Sequence, residues 1–286
     1  MTTVVFKAAC LQLTPGNILK ENLKEIARLI EAAVADGAQF VALPEFATYL
    51  DRDSRSMRSS ATREADSAVL AELRHQAAAH RIWLLIGSLV ILWDGDPQAR
   101  LANRSFLIGP DGTIAGVYNK IHLFDARLAD GRVVGESRHY KGGSEAVVVE
   151  TPFGRIGMSI CYDVRFPHLY RALARAGADI LVVPSAFTAE TGAAHWDALL
   201  RSRAIETGCY VFAPATTGVH PGDWHTYGHT RIIDPWGTVI AECGEEGGSF
   251  CAAAIDVEAS HKARARIPSL ATNPEFAVIS PVAEMV

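Results

Sequence analysis

The chain has 286 residues, of which 49% are hydrophobic and 21% charged, the usage of an ordinary globular protein long enough to bury a substantial core. A formal net charge of -5 provides no basic footprint for nucleic acid, which needs clustered Lys and Arg against phosphates. No uninterrupted apolar run reaches about 18 residues, so no membrane span is expected.

The N-terminal stretch Met1-Thr-Thr-Val-Val-Phe-Lys7 has neither the apolar run nor the cleavage site of a secretory leader. The five cysteines, Cys10, Cys161, Cys209, Cys243 and Cys251, are odd in number and lack C-x-x-C spacing. A reducing cytoplasm is the compartment that fits them, and four of them read as small buried hydrophobes. No Pro/Ser/Gly-rich linker, charge block or low-complexity stretch divides the chain, so residues 1–286 are expected to form a single domain.

Val4 to Leu13 reads as a strand, broken by Pro15-Gly16-Asn17. Leu19, Leu23, Ile26, Leu29, Ile30 and Ala33 then recur at three- and four-residue intervals, predicting a helix that stops at Gly37. Phe40 to Leu43 is a short buried strand, a second amphipathic helix runs roughly from Glu64 to His80, and Ile82 to Leu89 is again strand-like. Three Gly-containing turns, Gly109–Thr113, Glu150–Gly154 and Asp234–Thr238, each join two strands as hairpins. Repeated hairpins argue against a purely parallel barrel or doubly wound sheet. The expected fold is α/β, a four-layer α-β-β-α sandwich with two mixed sheets packed face to face and helices outside.

The most informative stretch is Phe153 to Tyr170. Ile156, Met158 and Ile160 mark a strand, while Leu169, Leu173 and Ala176 mark a helix running to Gly177. Cys161 therefore sits at a strand-to-helix turn, where a nucleophile is lifted out of the sheet and nearby amides can stabilise negative charge on sulfur or on an oxyanion. A thiol is only slightly ionised near neutrality, so such chemistry needs a base and a cation. Glu45 follows the Val41-Ala-Leu-Pro44 run, and Lys120 closes the strand Thr113-Ile-Ala-Gly-Val-Tyr-Asn119. Each, taken alone, reads equally as a solvated charge at a strand end.

Taken together, Leu43-Pro-Glu-Phe46, Asn119-Lys-Ile-His-Leu-Phe124 and Ile160-Cys-Tyr-Asp-Val-Arg-Phe-Pro167 resemble, in order and spacing, the base, lysine and nucleophile motifs of the nitrilase (carbon-nitrogen hydrolase) superfamily. The resemblance extends through Val183–Phe187, His195–Glu206 and Tyr227–Val239, and is nearest to the Nit-type amidases. It implies that Glu45 takes the thiol proton, that Cys161 attacks the amide carbon and forms a thioester, and that Lys120 with the Tyr162 amide stabilises the oxyanion. It further implies a second active-site glutamate, best matched by Glu136, with Asp125, Asp130 and Glu145 as neighbouring carboxylates in the same region. Arg165, Phe187 and Thr188 are implied to face substrate. From the residues themselves, Arg165 can equally form an internal ion pair with Asp163, and Phe187 can be core.

The Cys-Tyr-Asp elbow differs from the Cys-Trp-Glu type of nitrilases and the Cys-Asn-Asp type of many N-carbamoylases, which favours amide cleavage. The resemblance points to small carboxylated linear amides, such as ω-amides of α-keto acids or deaminated glutathione, although Ala213–His220 departs from the usual Nit pattern. A catalytically silent scaffold of the same fold is the reading from a different class. The implied mechanism uses no metal or organic cofactor, and His220, His225 and His229, spaced H-x4-H-x3-H, match no recognised zinc motif. Family members generally pair into dimers. The segment His195–Thr207 and residues 257–286, a C-terminal arm, are the expected interface regions.

Overall fold

The computed structural model describes residues 5–96, 98–127, 131, 133–272 and 274–277. The first half of the chain runs β1 (Val5–Gln12), α1 (Leu19–Ala35), β2 (Phe40–Ala42), α2 (Ser54–Ser60), α3 (Ala68–His80), β3 (Trp83–Leu92), β4 (Leu101–Ile108) and β5 (Ile114–Asn119). Two short strands, β6 (Asp125–Arg127) and β7 (Val133–Gly135), lead into a single 3-10 turn at Glu136–Arg138. The second half adds β8 (Val147–Thr151), β9 (Gly154–Met158), α4 (Pro167–Arg175), β10 (Ile180–Val182), α5 (Ala189–Thr207) and β11 (Tyr210–Ala213). It closes with β12 (Thr217–His220), β13 (Trp224–Tyr227), β14 (Arg231–Ile233), β15 (Val239–Glu242), β16 (Ser249–Asp256) and α6 (Glu258–Arg266).

Two six-stranded sheets form, ordered β16-β1-β2-β3-β4-β5 and β15-β14-β11-β10-β9-β8. In the first, β1, β2 and β3 are parallel, and β16, β4 and β5 pair antiparallel at the flanks. The second repeats this scheme when read from β8: β9, β10 and β11 are parallel, with antiparallel β8, β14 and β15 outside them. The three predicted hairpins are β4–β5, β8–β9 and β14–β15, and the mixed sheets they imply are present.

Strand alternation makes the layers. Phe6, Ala8 and Cys10 of β1 belong to the core shared with the second sheet, whereas Ala9 and Leu11 face Ile26, Leu29 and Ile30 of α1 and Leu70 and Leu73 of α3. Leu169 and Leu173 of α4, with Trp196 and Leu200 of α5, cover the outer face of the second sheet. Phe40 meets Phe212 edge-on between the sheets, with ring centroids 5.7 Å apart.

The helix expected from Glu64 to His80 starts later, because Ser67 Oγ accepts the Leu70 N–H at 3.2 Å and caps α3, leaving Glu64–Asp66 as an isolated 3-10 turn. The strand expected to reach Ile160 ends at Met158. Helix α2, which has only Met57 buried, carries too little apolar periodicity to be read from sequence. Strand β12, which pairs with β13 as a hairpin, falls in the stretch Ala213–His220 that departs from the Nit pattern. Helix α6, at the start of the expected C-terminal arm, docks through Ser260 Oγ on the Asp179 carbonyl at 3.0 Å and Arg264 Nε on the Thr207 carbonyl at 3.0 Å. The arm beyond residue 277 lies outside the described residues.

Candidate active site

Four strands stop at the same end of the sandwich, and the chain leaving each of them carries a functional side chain. Residues 43–45 follow β2, Lys120 follows β5, Cys161 follows β9, and Ala186 and Phe187 follow β10. Carboxyl ends of parallel strands in α/β folds are where ligands gather, since the chain there turns away and exposes side chains and amides. The Glu45 turn lies directly against β3: a Cβ on Gly87 would sit 2.1 Å from the Leu43 carbonyl oxygen and 2.4 Å from that of Pro44. Only glycine admits that approach.

Cys161 begins a 3-10 turn, Cys161–Arg165, with φ of 48°, in the left-handed region that costs a side-chain-bearing residue strain. The Cys161 N–H donates to the Pro184 carbonyl at 2.9 Å, and the Ile160 N–H donates to Asp163 Oδ2 at 2.9 Å, so both ends of the elbow are held. Asp163, fully buried, also accepts from Tyr118 Oη at 2.7 Å and from the His122 N–H at 3.0 Å, with His122 Nδ1 2.7 Å from Oδ1. Tyr118 and His122 flank Lys120 in sequence, so one carboxylate joins the cysteine elbow to the lysine segment. The ion pair between Arg165 and Asp163 weighed above is therefore not formed. The Arg165 guanidinium lies over the Phe187 ring, 5.2 Å from its centroid, with Nη2 3.3 Å from His195 Nδ1.

Lys120 Nζ lies 3.0 Å from Glu45 Oε1 and 3.2 and 3.0 Å from the two oxygens of Glu136, and all three side chains are at most 10% exposed. The ammonium therefore bridges the two carboxylates. Ala186 N–H donates to Glu45 Oε2 at 2.8 Å, and Phe124 N–H donates to Glu136 Oε2 at 2.6 Å. Glu136 is thus the second carboxylate on the lysine. Asp125 instead accepts from the Ser137 N–H at 3.0 Å, Glu145 is exposed, and Asp130 lies outside the described residues.

Burial opposes the Lys120 charge, but Glu136, Glu45 and Cys161 outweigh it and hold the ammonium well above its ordinary range. The Cys161 thiol is pushed well up, first by burial and then by the Glu45 charge and a hydrogen bond to that carboxylate, against the pull of Lys120. At rest the site therefore holds a protonated thiol beside a buried carboxylate and a permanent cation.

A cavity of about 290 Å³ opens onto this cluster. Lys120, Glu136, Cys161, Tyr162, Arg165, Phe187 and Thr188 all reach its wall, while Glu45, 2% exposed, stands behind them. Phe187 is both core and wall, at 5% exposure, against Trp196. Thr188 precedes the first residue of α5, its hydroxyl 2.7 Å from that of Thr191.

Sequence reasoning missed Asn103, in the middle of β4 and 1% exposed, whose Nδ2 lies 2.8 Å from Glu45 Oε1 and 3.2 Å from Glu136 Oε1. The available signal was an amide in a strand that is apolar or small apart from Asn103 and Arg104, where asparagine is disfavoured. The three histidines considered for metal are engaged separately: His220 with the Pro15 carbonyl and Thr226 Oγ1, His225 with Asp223, and His229 with the Tyr227 carbonyl.

A thiol, a buried carboxylate beside it and a fixed cation, all converging on one cavity, are the parts of a covalent hydrolase. Residues 7–265 match the family model described as carbon-nitrogen hydrolase. The chain is 42% identical over 267 residues to a protein of Synechocystis sp. named deaminated glutathione amidase, covering 93% of this chain and 97% of that one. It superimposes on the Caenorhabditis elegans NitFhit crystal structure with a TM-score of 0.86 at 37% identity, spanning 96% of this chain and 66% of that chain. A Saccharomyces cerevisiae member of branch 10 of the nitrilase superfamily superimposes with a TM-score of 0.82 at 31% identity, covering 92% of this chain and 94% of that one. The chain belongs to the carbon-nitrogen hydrolase family.

Proposed function

We propose that this protein is an amidase that hydrolyses a small linear amide bearing a carboxylate, with Cys161 as nucleophile, and that deaminated glutathione is the first substrate to test. The observation carrying this reading is the single cavity in which Cys161, Lys120 and Glu136 meet, backed by Glu45. The name of the Synechocystis relative supports the choice of amide.

Glu45 accepts the thiol proton as sulfur attacks the amide carbon. Lys120 Nζ and the Tyr162 N–H stabilise the oxyanion of the tetrahedral intermediate. Glu45 returns the proton to the nitrogen as the C–N bond breaks, releasing ammonia from a primary amide or an amine from a substituted one, and leaving a thioester on Cys161. A water then gives its proton to Glu45, its oxygen attacks the thioester, and the acid leaves as the proton returns to sulfur. Glu136 keeps Lys120 aimed at this point. Arg165, half-buried over Phe187 at the cavity wall, is suited to a substrate carboxylate, and Thr188 offers a hydroxyl nearby.

We further propose one hydrolase domain acting in the reducing cytoplasm as a dimer, paired through the exposed face of α5 (His195 and Ile205) and the arm after Asp256. Five unpaired thiols support the compartment, and the 56% exposure of Ile205 supports the surface. Sedimentation equilibrium of the wild type and Ile205→Glu tests the dimer.

The functional test is product release from deaminated glutathione, α-ketoglutaramate, an N-carbamoyl amino acid and a simple nitrile, with Cys161→Ala alongside. Turnover of a carboxylated amide that disappears in Cys161→Ala is expected. Preferred turnover of the nitrile or the carbamoyl compound would reject the amide assignment.

A further inference from the structure

We propose that Asn103 is a positioning residue of this site, its side-chain amide holding Glu45 and Glu136 together on the Lys120 ammonium so that Glu45 rests ready to take a proton. The inference rests on the reading of Glu45 as base, and adds a residue that the three motifs do not contain.

Asn103 Nδ2 is 2.8 Å from Glu45 Oε1 and 3.2 Å from Glu136 Oε1. Ionised carboxylates only accept, so the NH2 end of the amide must face them, one proton to each. Lys120 Nζ contacts the same two carboxylates. The backbone repeats the link, since the Lys120 N–H donates to the Asn103 carbonyl at 3.0 Å. Two carboxylates and one ammonium leave a net negative charge, with Glu45 and Glu136 sharing donors and so held close. A neutral two-proton donor between them is the group that eases their repulsion without adding a second cation that would compete for Glu45's proton-accepting oxygen.

The other end of the amide makes the functional reading sharper. Asn103 Oδ1 is buried and has no hydrogen-bond partner among the described residues. A buried acceptor without a partner destabilises a fold, so stability does not account for an amide in the middle of β4. Its grip on two catalytic carboxylates does.

The test is the pH dependence of kcat/KM for wild type, Asn103→Ala and Asn103→Ser on an amide the wild type hydrolyses. Iodoacetamide modification of Cys161 is followed over the same pH range, and thermal unfolding checks each fold. Asn103→Ala is expected to lower kcat about tenfold or more, the scale of a lost hydrogen bond to a charged group, with KM changed less than about threefold. Its pH profile should depart from that of the wild type, because the two carboxylates lose the N–H donor that fixes their placement. Asn103→Ser, which keeps one donor, should fall between, and it is read in the same way if the alanine protein does not fold. A folded variant with the wild-type pH profile, whatever its absolute rate, overturns the inference. If the wild type hydrolyses no amide, the amidase reading fails instead, and the alkylation profiles still decide the role of Asn103: an unmoved profile overturns it and a moved one supports it.

Discussion

Tyr118 Oη donates to Asp163 Oδ2 at 2.7 Å, tying the residue two before Lys120 to the residue two after Cys161. The same carboxylate receives the Ile160 and His122 N–H groups. Removing it orphans several buried donors at once, each costing about 1–3 kcal/mol. Asp163→Ala is therefore expected to lose about 3 kcal/mol or more in urea unfolding and to lose activity with it. A loss under about 1 kcal/mol would show that the elbow holds without this link.

Lys120→Met and Glu45→Gln should separate charge from shape. The first leaves two buried carboxylates facing each other and is expected to destabilise by about 3–5 kcal/mol, as when one partner of a buried pair is removed. The second keeps volume and removes one of the two negative charges, so its stability should stay near wild type while kcat falls by about 10²–10⁴, the range for a lost general base. Chemical denaturation beside steady-state kinetics checks both. Equal stability losses in the two variants would contradict the charge balance described here.

Stability should fall on the alkaline side. Burial raises the Cys10, Cys161 and Cys209 thiols above the ordinary 9.0, so the fold keeps protons that the unfolded chain releases. Their contribution is whole below pH 9.0 and is lost as pH rises through the higher folded values. Despite its burial, Lys120 is held above the ordinary 10.5 by Glu136 and Glu45, so its contribution is whole below 10.5 and is lost in the same direction. Cys243 and Cys251, one lowered and one raised through their shared hydrogen bond, oppose each other. Urea midpoints measured from pH 7 to 10.5 should decline beyond about pH 9. A flat series contradicts this.

Iodoacetamide should find Cys161 first. It is the cysteine that lines the cavity, whereas Cys10 and Cys209 are fully buried and Cys243 and Cys251 are packed in the core. Peptide mapping after brief treatment is expected to show one modified site, with the rate rising with pH because the thiolate reacts. Uniform, slow modification of all five thiols would favour a silent scaffold.

Much of this is legible in the sequence. The turns at Gly109–Thr113, Glu150–Gly154 and Asp234–Thr238 announce antiparallel pairs because their local chemistry decides the turn. The motifs around Glu45, Lys120 and Cys161 mark the ends of β2, β5 and β9, and it is the packing of the two sheets that brings those ends together. Glu136 was the best match on resemblance, but choosing it over Asp125 required knowing which carboxylate reaches Nζ, a long-range matter that spacing does not encode. Between the two readings open for Arg165, a substrate-facing side chain and a partner for Asp163, spacing alone does not choose: the two point apart on a 3-10 turn, where Asp163 turns inward to Tyr118 and Arg165 outward to the cavity. Asn103 is not legible in the sequence because its role is set by long-range side-chain contacts with Glu45 and Glu136.

The central claim is that the acyl group passes through Cys161, and intact mass spectrometry of protein quenched during turnover of a carboxylated amide tests it most directly. The expected spectrum shows a species heavier by the acyl group, mapped to Cys161, released by hydroxylamine and absent from Cys161→Ala. An adduct on any other residue, or undiminished product formation by Cys161→Ala, would contradict it.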